Sequence, residues 1–196
     1  MADRPLRADA RSNQERLLAV AGEAFAREGT QASLKAIAQQ AGVGIGTLYR
    51  RFPTREALVE AVYRNELAHL CAASPELLRT LPPEVALPTW MERFIDFMAT
   101  KQGMADVLRV VLLSEEDRLR TRDQLRAAIA VLLDAGASAG TLRTGADPND
   151  VLMGLGGISL IAGQENQRGL ATRLIGLLLH GVMATAVQDG AVHSGS

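Results

Sequence analysis

The chain has 196 residues, 47% of them hydrophobic and 22% charged, with a net charge of −1. That length fits one large domain or two small ones with a sizeable core, and the charge excludes a polyanion-binding signature spread over the whole chain. A single cysteine, Cys71, excludes an intramolecular disulfide, and with three scattered histidines it excludes a zinc cluster.

The apolar spacing is helical nearly throughout, which predicts an all-α fold of about nine helices and no sheet. Residues 13–28 place Leu17, Leu18, Ala21, Ala24 and Phe25 on one helical face, and Gly29 ends that helix. Two short helices are expected over 33–40 and 45–52, separated by Gly42-Val43-Gly44. Thr54 is a good N-cap for a helix reaching about Ala72, with Leu58, Val62 and Leu67 as its stripe. Ser74-Pro75 and Leu81-Pro82-Pro83 punctuate the next stretch of chain. A helix is expected over 84–101, with Pro88 in its first turn or breaking it. A short apolar helix over 104–113 and a long one over 115–139 precede a loop at 140–148. Asp147-Pro148 caps a glycine-rich helix, VLMGLGGISLIAG. A final helix is expected over 166–187, and the last residues read as disordered.

Charge is unevenly distributed. Residues 1–65 hold ten Lys and Arg against seven Asp and Glu (+3), and residues 66–196 hold eleven against fifteen (−4). The positive part contains SLKAIAQQAGVGIGTLYRRFPTR, residues 33–55, a brace helix, a glycine turn and a short helix rich in hydrogen-bond donors. That is the pattern of a helix-turn-helix, and it points to double-stranded DNA. The hydroxyls of Thr47 and Tyr49 suit phosphate oxygens, and Arg50 and Arg51 suit phosphate or guanine. Ser33 and Thr54 open helices, where free N–H groups favour phosphate. Lys35 reaches base or backbone, and Arg55 is expected to pin the strand beyond. Leu48, Phe52, Ile37, Val43 and Phe25 read as a small core.

Residues 13–62 resemble the N-terminal domain of TetR-family transcriptional regulators. The matching residues are Ala24-Phe25, Glu28-Gly29-Thr30, Ile37-Ala38, Ala41-Gly42-Val43, Thr47-Leu48-Tyr49, Phe52 and Glu56-Ala57-Leu58. The body resembles the SbtR-like group of C-terminal domains over two passages, Trp90 to Phe94 and Gly140-Thr141-Leu142-Arg143 with Asp147-Pro148. The resemblance implies an all-helical homodimer, with a three-helix DNA-binding head at 1–53, a ligand-binding and dimerisation body at 54–190 and a tail at 191–196. It places Ser33, Lys35, Gly46, Thr47, Tyr49, Arg50 and Arg55 at DNA-contacting or backbone-positioning places. Gly44-Ile45-Gly46 departs from the family pattern in being poor in side chains. Base-specific hydrogen bonding is therefore not expected from those three positions, and Lys35, Arg50 and Arg51 are the better candidates for readout.

Two sites are expected in the body. Trp90, Met91, Phe94, Phe97, Met98, Met104, Val107, Leu108 and Val111 are either an apolar ligand pocket or a plain bundle core. Gly154 and Gly157, with Leu170, Leu174, Leu177, Leu178 and His180, are expected at a dimer interface. A phosphate loop is rejected there, because GLGGIS has neither the preceding strand nor the lysine. Glu115-Glu116-Asp117 reads as a solvated helix start. No catalytic constellation is visible, so neither an enzyme nor a cofactor is expected. The expectation is a cytoplasmic regulator, without a membrane partner, that is released from a palindromic operator by a small apolar or amphipathic effector. The alternatives are a regulator without an effector and a protein-binding adaptor.

Overall fold

The computed structural model describes residues 4–111, 114–163 and 168–184. Their helices are α1 Arg4–Glu28, α2 Leu34–Gln40, α3 Ile45–Arg51, α4 Arg55–Leu78, α5 Pro83–Gly103, α6 Ala105–Val111, α7 Glu115–Ser138, α8 Pro148–Gly163 and α9 Arg168–Val182, with a 3₁₀ turn at Gly29–Gln31. The described residues contain no strand, only an isolated bridge between Leu142 and Met183.

The first three helices close a small core. Leu17, Leu18, Ala21, Ala24 and Phe25 of α1 are buried with Leu34, Ile37, Ala38, Leu48 and Phe52. Local chemistry sets the ends of the short helices. Ser33 Oγ accepts from the Ala36 N–H at the start of α2. At its other end Gly42 takes φ +69°, the Gly42 N–H bonds Gln39 O, and the Val43 N–H bonds Ala38 O. This is the paired closure that a left-handed glycine permits. Arg16 of α1 adds a bond from Nε to Ala41 O at 2.9 Å.

Helix α4 belongs to both parts of the molecule. Thr54 Oγ1 accepts from the Ala57 N–H at its start. It then packs on α1, α5 and α7. The expected stop near Ala72 does not occur, and α4 runs through Pro75 to Leu78. An interior proline costs roughly 3 kcal/mol and leaves one carbonyl without its helical donor. Buried Leu70, Ala73 and Leu77 on the packed face offset it, at about 1.5–3 kcal/mol for each buried leucine. Pro88 likewise neither breaks α5 nor sits in its first turn; it lies in the second turn of a helix that starts at Pro83.

Helix α5 is central, touching α1, α4, α7, α8 and α9. Its buried stripe is Ala86, Leu87, Trp90, Met91, Phe94 and Phe97. The Trp90 indole donates to Leu70 O of α4 at 2.8 Å. At its far end α5 meets α1 closely: a Cβ on Gly103 would stand 2.1 Å from Phe25 O, so only glycine fits. The first helix begins earlier than expected, at Arg4 instead of residue 13, and α6 ends at Val111. Positions 112–113, 166–167 and 185–187 of expected helices, and the 191–196 tail, lie outside the described residues.

Candidate nucleic-acid interface

Helix α3 projects its outer face away from the head's core. Leu48 is its buried residue, while Thr47, Tyr49, Arg50 and Gly46 are exposed. Lys35 is exposed on the first turn of α2. Among the described residues, no hydrogen bond or ion pair engages the side chains of Lys35, Tyr49 or Arg50. These three donors, together with the exposed Thr47 hydroxyl, are open to an acceptor surface.

The other two arginines are already engaged. Arg51 is hydrogen-bonded through Nη2 to Gln14 Oε1 of α1. Arg55 Nη1 donates to Thr30 O at 2.5 Å and to Ala32 O at 2.7 Å. It is half-buried, and it fastens the start of α4 to the α1–α2 connection. Its Nη1 faces the head's own carbonyls. Thr54 and Ser33 also use their hydroxyls as helix caps. Beside Thr54, Glu56 is held below the usual carboxylate range by backbone N–H bonding and then by the Thr54 hydroxyl.

Sequence reasoning missed Arg16 and Gln14, which brace the two short helices from α1. No signal in their neighbourhood marks them, because their partners lie 25 and 37 residues away.

In the body, Trp90, Met91, Phe94, Phe97, Met104 and Leu108 are all buried. Their rings pack on one another, with centroids 6.0 Å apart for Trp90 and Phe94 and 6.2 Å for Phe94 and Phe97. Tyr63 joins at 5.8 Å from Phe97. Val107 is half-buried against this core, and the side chain of Val111 lies outside the described residues. Met98 differs, lining an open cleft of about 540 Å³ between α1, α5, α8 and α9. Polar groups border that cleft, including Arg27, Gln102 and the Arg168–Asp96 pair at 2.5 Å. Phe97 borders a smaller cleft of about 220 Å³ with Glu66, His69 and Arg93.

The glycine-rich helix resolves into two faces. A Cβ on Gly154 would meet the Leu178 methyls at 3.2 and 3.3 Å, so the close approach of Gly154 and Leu178 is between α8 and α9 of one chain. Gly157 has open space instead, and lies with exposed Met153, Leu160 and Ile161. On α9, Leu177 is 69% exposed, Leu170 and Leu174 are half-buried, and His180 is exposed, its Nδ1 2.6 Å from Gly176 O. Cys71 is half-buried, and burial raises its thiol pKa, which suits a packed residue. Ser114 caps α7 and, with Arg120, holds Asp117 at a solvated start. No group of residues able to hold a metal ion occurs among those described.

A three-helix head with an outward donor-bearing helix, joined to an all-helical body, defines a helix-turn-helix DNA-binding regulator. Similarity to known proteins gives the family. Residues 17–62 match the bacterial regulatory proteins of the tetR family, and residues 82–184 match the SbtR-like transcriptional regulator C-terminal domain. The chain belongs to the TetR family of transcriptional regulators. It is similar to the TetR transcriptional regulator SCO0520 of Streptomyces coelicolor, at 47% identity and TM-score 0.81 over 87% of this chain and 98% of that one. It is also similar to a TetR regulatory protein of Mycobacterium vanbaalenii, at 31% identity and TM-score 0.75 over 92% and 100%. The HTH-type regulator SAUSA300_2515 of Staphylococcus aureus is 36% identical over 63 residues, which span 32% of this chain and 34% of that relative. The likeness to the curated relatives thus covers about a third of their length.

Proposed function

We propose that the chain is a homodimeric repressor that occupies a palindromic operator in the cytoplasm and is released by a small amphipathic molecule. The observation that carries the DNA reading is the outward face of α3 and α2, where Thr47, Tyr49, Arg50 and Lys35 are exposed. Tyr49 and Thr47 donate to phosphate oxygens, and Lys35 and Arg50 supply the cations that release counterions. Arg51, Arg55, Ser33 and Thr54 set the angle of the head. Gly46 leaves room for the duplex. Two heads lie in successive major grooves, roughly 34–36 Å apart.

The exposed apolar faces of α8 and α9 support the dimer. An effector acts by binding better to a state whose heads are wrongly spaced. Helix α4 conveys that change, because Arg55 fastens one end to the head while Trp90 holds Leu70 in the body. The open cleft beside Met98 is the better place for an amphipathic guest. The closed packing of Trp90, Met91 and Phe94 supports a second reading, in which the body only dimerises.

The test is fluorescence anisotropy of full-length protein on its own upstream DNA at several salt concentrations. Binding is expected to weaken steeply with salt. Tyr49→Ala with Arg50→Ala is expected to weaken it by about tenfold or more. Salt-independent binding, or none, would overturn the reading, and a promoter–reporter assay separates repression from activation.

A further inference from the structure

Among the described side chains of the head, Ile45 and Tyr49 are the exposed large apolar ones. Leu17, Leu18, Phe25, Leu34, Ile37, Leu48 and Phe52 are buried, while Ile45 is 39% and Tyr49 48% exposed. These two residues stand four apart on α3, so they share one face. Each keeps a substantial part of its apolar surface open to solvent. Ile45 opens the helix between two glycines. A Cβ on Gly44 would find Thr47 Oγ1 no nearer than 3.9 Å, and one on Gly46 would find nothing within 4 Å. The N-cap position at Gly44 has φ −68°, so the backbone there has no need of glycine either. Ile45 is thus a β-branched apolar knob on a helix start that carries no other side chain beside it, on a short helix whose Tyr49 and Arg50 are also exposed.

Resting on the reading of α3 as the helix that enters the major groove, we propose that Ile45 reads a thymine in each half-site. Its side chain packs on the C5-methyl group, and the Tyr49 ring lies on the same face behind it. The thymine methyl is the apolar mark that the major groove offers, and a side chain without donors or acceptors has nothing else there to recognise. Cytosine in its place sets an amino donor against Ile45 without a partner. The scarcity of base-reading groups at the start of α3 is then a change of code, from hydrogen bonds to a methyl contact.

The test uses full-length protein and a duplex enriched from a randomised library by rounds of binding. Each thymine is replaced in turn by deoxyuridine, which deletes the methyl and keeps the pairing. At one thymine per half-site the wild type is expected to lose about fourfold in affinity, the worth of one buried methyl-sized group. Ile45→Ala is expected to bind the thymine and uracil duplexes alike, and Ile45→Val to keep part of the difference. Thermal unfolding checks the fold of each variant, and if Ile45→Ala does not fold, Ile45→Val alone must show a reduced preference for thymine. An identical uracil profile in wild type and variants overturns the proposal while leaving DNA binding intact. Failure to enrich any duplex removes the DNA reading itself, and this inference with it.

Discussion

The guanidinium of Arg55 directs its two hydrogen bonds to Thr30 and Ala32, while Arg50, five positions earlier, points to solvent. Both residues read alike in the sequence, as cations next to a helix-turn-helix. What separates them is a pair of carbonyls 23 and 25 residues away in the chain, brought close by the turn after α1. Gly46 makes the opposite point, because nothing inside the chain requires it. A glycine in an exposed helix is up to about 1 kcal/mol less favourable than alanine. Gly46→Ala is therefore expected to raise the unfolding midpoint slightly in chemical denaturation while weakening DNA binding. A variant that binds DNA as well as wild type would show that the space above Gly46 stays empty in the complex.

Among the helices, α4 illustrates how packing overrides a local signal. Ser74-Pro75 reads as a stop, yet the helix continues to Leu78, with Leu77 beyond the proline buried. The same helix carries Glu66, whose carboxyl stands over Gly22 of α1 and borders clefts shared with Glu23, His69, Arg93 and Asp96. Burial raises its pKa above 4.5, with opposing help from His69 and Asn65. The folded state therefore holds this proton to a higher pH than the unfolded chain does. The resulting stability is complete below the unfolded value and is lost as pH rises through the folded one. Glu66→Gln is expected to gain on the wild type across that window and then level off, as read by denaturant unfolding from about pH 4 upward. A difference that stays flat with pH would mean that Glu66 is solvated in the folded protein. The helix-turn-helix was legible because its caps, its turn and its apolar positions lie within 23 consecutive residues. The course of α4 was not, since it rests on packing against α5 and α7, which lie further along the chain.

Across the molecule as a whole, α8 and α9 present apolar side chains to solvent. Met153, Leu160, Ile161 and Leu177 are exposed, with Ile161 at 60%. Isolated apolar residues are ordinary on a surface, but Met153, Leu160 and Ile161 fall at helical spacing on α8, and with exposed Leu177 of α9 they suit a second copy of the chain. Leu177→Asp is expected to shift full-length protein from dimer to monomer in sedimentation velocity and to weaken operator binding with it. A variant that remains dimeric would place the interface elsewhere.

Helical periodicity, the capped helix-turn-helix and the family could all be read along the chain. Each of these rests on side chains a few positions apart, where spacing alone decides which face they share. Three other outcomes needed the packed molecule: which arginines turn inward, the closing of the α5 aromatic stripe on itself, and the use of Gly154 in the α8–α9 contact within one chain. They depend on which carbonyl, ring or methyl arrives from a distant helix, and the pattern along a single helix does not contain that information.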